Sequence, residues 1–599
     1  MKTNKPITFN KLLIAGAGTL GSKIAWQCAF HGYRTVVYDP IESSLTDCKA
    51  KHRKYSEHFR TERNASENEI NEAFSRLSYT SELAIATNGV DFVSESIPED
   101  LELKRQFFAQ VSALVHPSTI LTSNSSQLAP SDIAVSCKHP ENFLFLHFLT
   151  GVWRPNLVEV MGHTNSKEEL IDTLTRFSKT IGMVPVSIHT EVPGMILNSL
   201  LVPHLTAAWD CLLDGAADFK DIDRLWMHTT GMKIGPFGIL DSIGMNTLYK
   251  GALSESDTPN RKAIYIKNNF IDRNLYGANE GEGFYTYPAP EFSLDAFCKD
   301  ETAYQYEPKS LVFLEHSKPM PSIKFRANII QRAQSAGHKI QVYCENKETL
   351  SKLEAEIDSL SSGLTSTNDR NICFNSLLET QFHSADVVFD SVTVHEGDNE
   401  NLKRHIRKHL APKAIMVGTS ADIDVKKYAE NLGSQSIYAI CVPSSFVENL
   451  YVAELIFSDD VDGKTTSSLI SIIKSFDIHP TVLKKHRFNL VIIRLIRPIL
   501  FHACNLLAQK CASIEDIDKC WMITTNCNIG PLGIIDQIGI DHFHEVTCYF
   551  GSTYNDEFML RISTFLKTNY IEKNLFGRST SSGFYTYPNP SYGKIDFIS

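Results

Sequence analysis

The octapeptide Gly283-Phe284-Tyr285-Thr286-Tyr287-Pro288-Ala289-Pro290 returns near the end of the chain as Gly583-Phe584-Tyr585-Thr586-Tyr587-Pro588-Asn589-Pro590. Two further blocks repeat in the same order. Asp221-Ile222-Asp223-Arg224-Leu225-Trp226-Met227 is matched by Asp516-Ile517-Asp518-Lys519-Cys520-Trp521-Met522. Ile234-Gly235-Pro236-Phe237-Gly238-Ile239 is matched by Ile529-Gly530-Pro531-Leu532-Gly533-Ile534. A chain written twice must give each copy the same local structure, and 599 residues are too many for one core.

The front of each copy alternates strand-like and helical runs, which implies a parallel α/β sheet. In the first copy Leu12-Leu13-Ile14 reads as a strand, Thr19 to His31 as a helix and Thr35-Val36-Val37-Tyr38 as the next strand. In the second, Leu311-Val312-Phe313-Leu314, Ile323 to Gly337 and Lys339-Ile340-Gln341-Val342-Tyr343 follow the same order. The back of each copy is helical. Its first long helix is expected from about Pro193 to Leu213 and again from about Phe488 to Leu507, with Pro203 and Pro498 at matching places where each should kink it. The expected domains are 1–190 (sheet), 191–298 (helical), 299–310 (linker), 311–485 (degenerate sheet) and 486–599 (helical), so the sheet–helical pair occurs twice.

One feature is not duplicated. Gly16-Ala17-Gly18-Thr19-Leu20-Gly21 follows a strand and opens a helix, and Asp39 ends the next strand, 18 residues beyond Gly21. That is the context of a Rossmann dinucleotide fingerprint. The first glycine permits the turn, the second lets backbone approach the pyrophosphate, and the third lets helix and strand pack closely. The helix N-terminus favours the phosphates. Asp39 is suited to the ribose hydroxyls and repels a 2′-phosphate, so NAD is expected rather than NADP. Where the second copy should carry these glycines it reads Glu315-His316-Ser317-Lys318-Pro319-Met320-Pro321.

A formal net charge of −11 argues against a nucleic-acid partner. Thirteen cysteines without CxxC pairs fit reduced thiols in a cytoplasm. The opening residues lack the apolar core and cleavage site of a signal peptide. The most apolar stretch, Phe488 to Phe501, contains Arg494, Arg497 and Pro498 and is too short to span a bilayer, so no membrane is expected.

Downstream, Ser123-Asn124-Ser125-Ser126-Gln127-Leu128 is followed by Leu146-His147-Phe148, with Glu159 placed 12 residues beyond the histidine. Over about residues 8 to 290 the chain resembles the 3-hydroxyacyl-CoA dehydrogenase family, including 3-hydroxybutyryl-CoA dehydrogenases. Oxidation of a secondary alcohol needs a base for the hydroxyl proton, and histidine titrates near neutrality. The resemblance implies that His147 is that base, that Glu159 orients it, and that Ser126 and Asn198 anchor the substrate oxygen. It further implies that Glu99, Lys104 and Asn124 contact the dinucleotide. The family usually continues His-Phe-x-Asn-Pro, whereas this chain has Leu149-Thr150-Gly151, so Thr150 stands where the family places an Asn beside the nicotinamide. Trp153 and Arg154 replace a milder loop and are candidates to shape the acyl pocket or meet an anionic group. Lys49, Lys51, Arg53 and Lys54 lie where the family grips CoA.

The second copy has Ile440-Cys441-Val442-Pro443-Ser444-Ser445 at the catalytic strand, Gly418-Thr419-Ser420-Ala421-Asp422 for the serine loop, and Ile493 for Asn198. It is expected to be silent as a dehydrogenase. Family members pair through the helical domain, so a tandem chain is expected to form an internal pseudo-dimer, a monomer or weak homo-oligomer. The leading expectation is interconversion of a short-chain L-3-hydroxyacyl-CoA and its 3-oxoacyl-CoA. The alternatives are a dehydrogenase of a free hydroxy acid (a sugar acid or a carnitine-like molecule) and a non-catalytic NAD-binding scaffold.

Overall fold

Both copies of the strand pattern form eight-stranded sheets with the same internal order in the computed structural model. Described are residues 9–254, 260–293, 297, 307, 309–315, 323–344, 346–360, 372–375, 384–390, 408, 410, 414–419, 437–444, 452–457, 461–483 and 490–598. The 316–321 and 420–422 segments of the second copy, and most of the expected 299–310 linker, lie outside them.

The chain packs as two units, one of Met1–Pro203 with Pro498–Ser599 and the other of His204–Arg497. The order along the chain, sheet then helical region twice over, is as expected, and the packing exchanges the helical regions. The first sheet shares a unit with the second copy's helical region, and the second sheet with the first's. The divisions fall at Pro203 and Pro498, inside two long helices whose expected positions are met to within a few residues. Proline lacks the N–H that would continue the helix ladder, so each helix is interrupted where the units divide.

Seven helices matter below: α1 (Thr19–Phe30), α2 (Glu42–Arg63), α3 (Leu101–Leu114), α4 (Met195–Leu213), α5 (Phe219–Thr230), α6 (Val491–Ala508) and α7 (Ile514–Thr525). α4 and α6 are long and apolar enough to cross a membrane by length and composition alone, and roughly half of each is buried in the fold. The apolar stretch expected to be too short to span a bilayer thus lies in a helix of 18 residues.

In the first unit the strands are β1 (Lys11–Ala15), β2 (Arg34–Tyr38), β3 (Leu77–Thr80), β4 (Phe92–Glu95), β5 (Ile120–Ser123), β6 (Phe143–Phe148), β7 (Leu157–Met161) and β8 (Val184–Ile188). Their order is β3-β2-β1-β4-β5-β6-β7-β8. All neighbours are parallel except β6 and β7, so the sheet is mixed rather than wholly parallel. Strands β4 to β7 are buried along their whole length, as central strands covered on both faces must be. Leu12, Ile14, Trp26, Phe59, Leu146 and Phe177 belong to the core they share with the helices. α7 packs against β7 and the edge strand β8, and His189 just beyond β8 donates its N–H to the Cys511 carbonyl at 2.7 Å.

In the second unit β9 (Ser310–Glu315), β10 (Lys339–Cys344), β11 (Ile372–Asn375), β12 (Val387–Asp390), β13 (Ile415–Gly418), β14 (Ile437–Ser444), β15 (Val452–Phe457) and β16 (His479–Val482) repeat the order as β11-β10-β9-β12-β13-β14-β15-β16. β14 and β15 form its antiparallel junction, and α5 packs against β15.

The preserved sequence blocks are two buried aspartates and the groups that satisfy them. Asp223 accepts from the N–H groups of Phe237 (2.9 Å) and Gly238 (3.1 Å) and the Tyr285 hydroxyl (3.0 Å). Asp241 accepts from Phe284 and Tyr285 N–H and the Tyr287 hydroxyl. Asp518 and Asp536 repeat each bond with Leu532, Gly533, Phe584, Tyr585 and Tyr587. Burial pushes Asp223 and Asp518 up to about 7. A Cβ on Gly283 or Gly583 would meet a carboxylate oxygen at 2.2 or 2.1 Å. A buried carboxyl without its bonds is costly, so these blocks resist change whatever the chemistry nearby.

Candidate active site

The glycine loop joins β1 to α1. Gly16 has φ +101°, and a Cβ there would lie 2.5 Å from the Ser96 carbonyl oxygen. A Cβ on Gly21 would lie 2.0 Å from the Gly16 oxygen, whereas one on Gly18 would meet nothing within 4 Å. The outer glycines are thus required by packing and the middle one keeps open the approach to the loop. Among the described residues no side chain caps α1, and no acid stands in its first turn, where Thr19 and Leu20 begin the helix. Its leading N–H groups therefore suit an anion. Asp39 braces the loop through Ala17 N–H at 2.9 Å and takes Ile41 N–H at 3.0 Å, with lone pairs to spare for a ribose hydroxyl. These residues fit a dinucleotide.

Beside the loop lies a buried charge network. Lys104 on α3 bonds Glu95 at 2.7 Å and Glu99 at 3.3 Å, and the Ser123 hydroxyl donates to Glu95 at 2.5 Å. Burial raises Glu95 despite these partners. For Glu99 burial is outweighed by the Ser125 hydroxyl, Lys104 and two N–H groups, which hold it below the usual carboxylate range. Glu99 takes the Ser125 hydroxyl and the N–H groups of Ser126 and Gln127, fixing the loop that carries Ser126. Asn124 accepts the Phe148 N–H at 2.6 Å and ties that loop to β6.

The 12-residue spacing becomes a cross-strand pair: His147 on β6 stands in register with Glu159 on β7. His147 Nδ1 lies 2.8 Å from Glu159 Oε2, and the carboxylate is fully buried. Its other oxygen accepts the Ile196 and Leu197 N–H groups at 2.9 and 3.0 Å, at the start of α4. A carboxylate beside Nδ1 selects the tautomer that leaves the Nε2 lone pair available as a base. It also stabilises the charged imidazolium after proton uptake. Asn198, one residue further along α4, donates to the Ser126 carbonyl at 3.3 Å, so the two expected anchors meet.

Comparison with known proteins agrees with this geometry. The model of the 3-hydroxyacyl-CoA dehydrogenase NAD binding domain matches residues 11–192, and that of the family's C-terminal domain matches twice, at 194–287 and 490–587. The chain belongs to the 3-hydroxyacyl-CoA dehydrogenase family. It is an NAD-dependent oxidoreductase, and the doubled C-terminal match accords with the repeat. Mouse (Mus musculus) mitochondrial hydroxyacyl-coenzyme A dehydrogenase is 31% identical over 293 residues, covering 47% of this chain and 93% of that protein. The fatty acid oxidation complex subunit alpha of Psychrobacter sp. (strain PRwf-1) is 31% identical over 301 residues, or 49% of this chain and 41% of that protein. The solved 3-hydroxybutyryl-CoA dehydrogenase of Escherichia coli K12 shares the fold over 95% of this chain and 99% of its own, with TM-score 0.64 and 18% identity.

In this family member the structure places several expected site residues where they meet other side chains or solvent. Lys104 is 1% exposed and its ammonium is engaged by two carboxylates, so it positions Glu99 rather than facing a ligand. Trp153 is a core residue, edge-on to Tyr55 and Phe59 of α2 at 5.2 Å each, because the turn at Val152 (φ +54°) directs it inward. Arg154 is a surface residue paired with Glu62 at 3.2 Å. Thr150 is exposed, and its carbonyl is held by Lys23 of α1 at 2.8 Å. The sequence does not show that tether, because a lysine on a helix carries no mark of its distant acceptor. Lys49, Arg53 and Lys54 are exposed and Lys51 half-buried along α2, with Lys49 lying over the Tyr79 ring.

In the second sheet Glu454 occupies the place of Glu159 and accepts the Val491 and Ile492 N–H groups at 2.6 and 3.0 Å. Val442 stands opposite it in register, and Ile493 follows where Asn198 stands in the first copy. Burial pushes Glu454 up to about 7.

Proposed function

We propose that this enzyme interconverts an L-3-hydroxyacyl-CoA and the 3-oxoacyl-CoA, with short acyl chains preferred and one active site, in the first unit. The observation that carries the reading is the His147–Glu159 pair anchored on α4, set beside a dinucleotide loop. Held at the Gly16–Gly21 loop with Asp39 at its ribose, NAD would supply the hydride acceptor. His147 Nε2 takes the hydroxyl proton, Glu159 steadies the imidazolium, and Ser126 and Asn198 orient the oxygen. The exposed cations of α2 have no carboxylate partner among the described residues and suit the CoA phosphates. The preference for short chains rests on the motif likeness to 3-hydroxybutyryl-CoA dehydrogenases.

The test is NAD reduction with 3-hydroxybutyryl-CoA, a long-chain 3-hydroxyacyl-CoA and free 3-hydroxybutyrate. Turnover should be fastest with the first and negligible with the last. Preference for the free acid would replace the CoA ester in the reading, and NAD binding without turnover on any of the three would make the protein a scaffold. A chain carrying both copies of the family's pairing domain is proposed to be monomeric, so light scattering should give 67.2 kDa rather than twice that. A reducing cytoplasm is proposed on the sequence, whose thirteen cysteines are scattered without a CxxC pair.

A further inference from the structure

Glu159 has one neighbour that the dehydrogenase scheme leaves unused. Cys520 Sγ, on α7 of the second copy, lies 3.9 Å from Glu159 Oε1, the oxygen that also takes the two α4 N–H groups. Both side chains are fully buried. The contact is held by the surrounding structure rather than by the thiol. α7 packs on β7 and β8, Ser513 caps its start by accepting the Asp516 N–H at 3.0 Å, and the Cys511 carbonyl takes the His189 N–H. Burial, reinforced by the carboxylates of Glu159 and Asp516, pushes the thiol far above its ordinary range. It stays protonated at working pH and presents a donor.

The second unit supplies the contrast. There α5 packs on β15, and the residue matching Cys520 in the repeated block is Leu225, fully buried and without a donor. The residue in that sheet with no histidine opposite it also has no thiol at the matching helix position.

We propose that Cys520 is a positioning residue for the catalytic pair, a weak donor by which the second copy tunes the carboxylate that holds His147. The proposal rests on the dehydrogenase reading only for its purpose, since the contact exists whatever the substrate. The titratable groups facing the pair are His147 from β6 and, on α7, Cys520 itself with Asp516 a turn away; α4 presents backbone N–H groups. Each hydrogen bond to a carboxylate withdraws charge from it. Without the thiol the carboxylate grips the imidazolium more strongly, and His147 should release its proton at higher pH.

The experiment follows the His147 imidazole by NMR titration of the full-length protein with labelled histidine, the resonance being assigned with His147→Gln. Cys520→Leu and Cys520→Ala are expected to raise its midpoint by roughly 0.3–0.5 pH unit, and Cys520→Ser, which keeps a donor, to restore it. Should Cys520→Leu fail to fold, the alanine and serine variants decide. Identical midpoints in wild type, alanine and serine variants would overturn the proposal. The readout needs no turnover, so an inactive wild type would defeat the dehydrogenase reading while leaving this test able to succeed or fail by itself.

Discussion

In the first sheet Glu159 holds both the His147 imidazole and the leading N–H groups of α4, whereas in the second, among the described residues, Glu454 holds the leading N–H groups of α6 alone. The carboxylate therefore does two separable things. It caps a helix that leaves the sheet, and it orients a base. The capping survives where the base is gone, because a buried helix start without acceptors costs stability in either copy. A glutamate at this register is a mark of the fold, and only the residue opposite it makes a catalyst.

The strongest way to break the comparison is to remove the base. His147→Ala should lower kcat by about 10²–10⁴-fold while NAD still binds, measured by steady-state turnover and NAD titration. A loss below tenfold would end the claim that the two sheets differ in chemistry. The glycine loop gives the next largest effect. Gly18→Val should fold normally, since its Cβ meets nothing within 4 Å, yet weaken NAD binding by about 10²-fold. Gly21→Ala should instead cost about 2–3 kcal/mol of stability, because its Cβ falls 2.0 Å from a carbonyl oxygen. Calorimetric titration and thermal melts separate the two outcomes.

The smallest effect sharpens the contrast from the other side. Burial pushes Glu454 from an ordinary 4.5 up to about 7, so the folded state binds its proton more tightly than the unfolded chain. Its contribution is fully present below pH 4.5 and is lost as pH rises through about 7. Glu454→Gln should flatten that part of the decline in Tm between pH 5 and 8, while adding a constant penalty because an amide N–H would face a helix N–H. An unchanged slope would show that Glu454 does not couple folding to protons.

Much of the site was legible because it is local or set by short spacings. The glycine loop is a strand, a turn and a helix in succession, and Asp39 follows on the adjacent parallel strand. An offset of 12 from His147 to Glu159 suffices for two strands and a turn, so pattern and chemistry coincide. What escaped notice depends on distant packing. Lys104 looks like any helix lysine until β4 places Glu95 beneath it. Trp153 reads as a loop residue, and only the turn at Val152 sends it against α2. The repeat revealed two copies but not which helical region would join which sheet, because both regions carry the same blocks and only their packing distinguishes them.

The position of α7 also sets an order of events during synthesis. The edge strand β8 ends at Ile188 and its covering helix begins at Ile514. At about 5–20 residues per second, the strand leaves the ribosome roughly 15–60 s before its cover exists. An uncovered edge is a template for strands of other chains. The first sheet therefore waits for α7 until most of the second copy has been made, and its edge stays open to other strands for that interval.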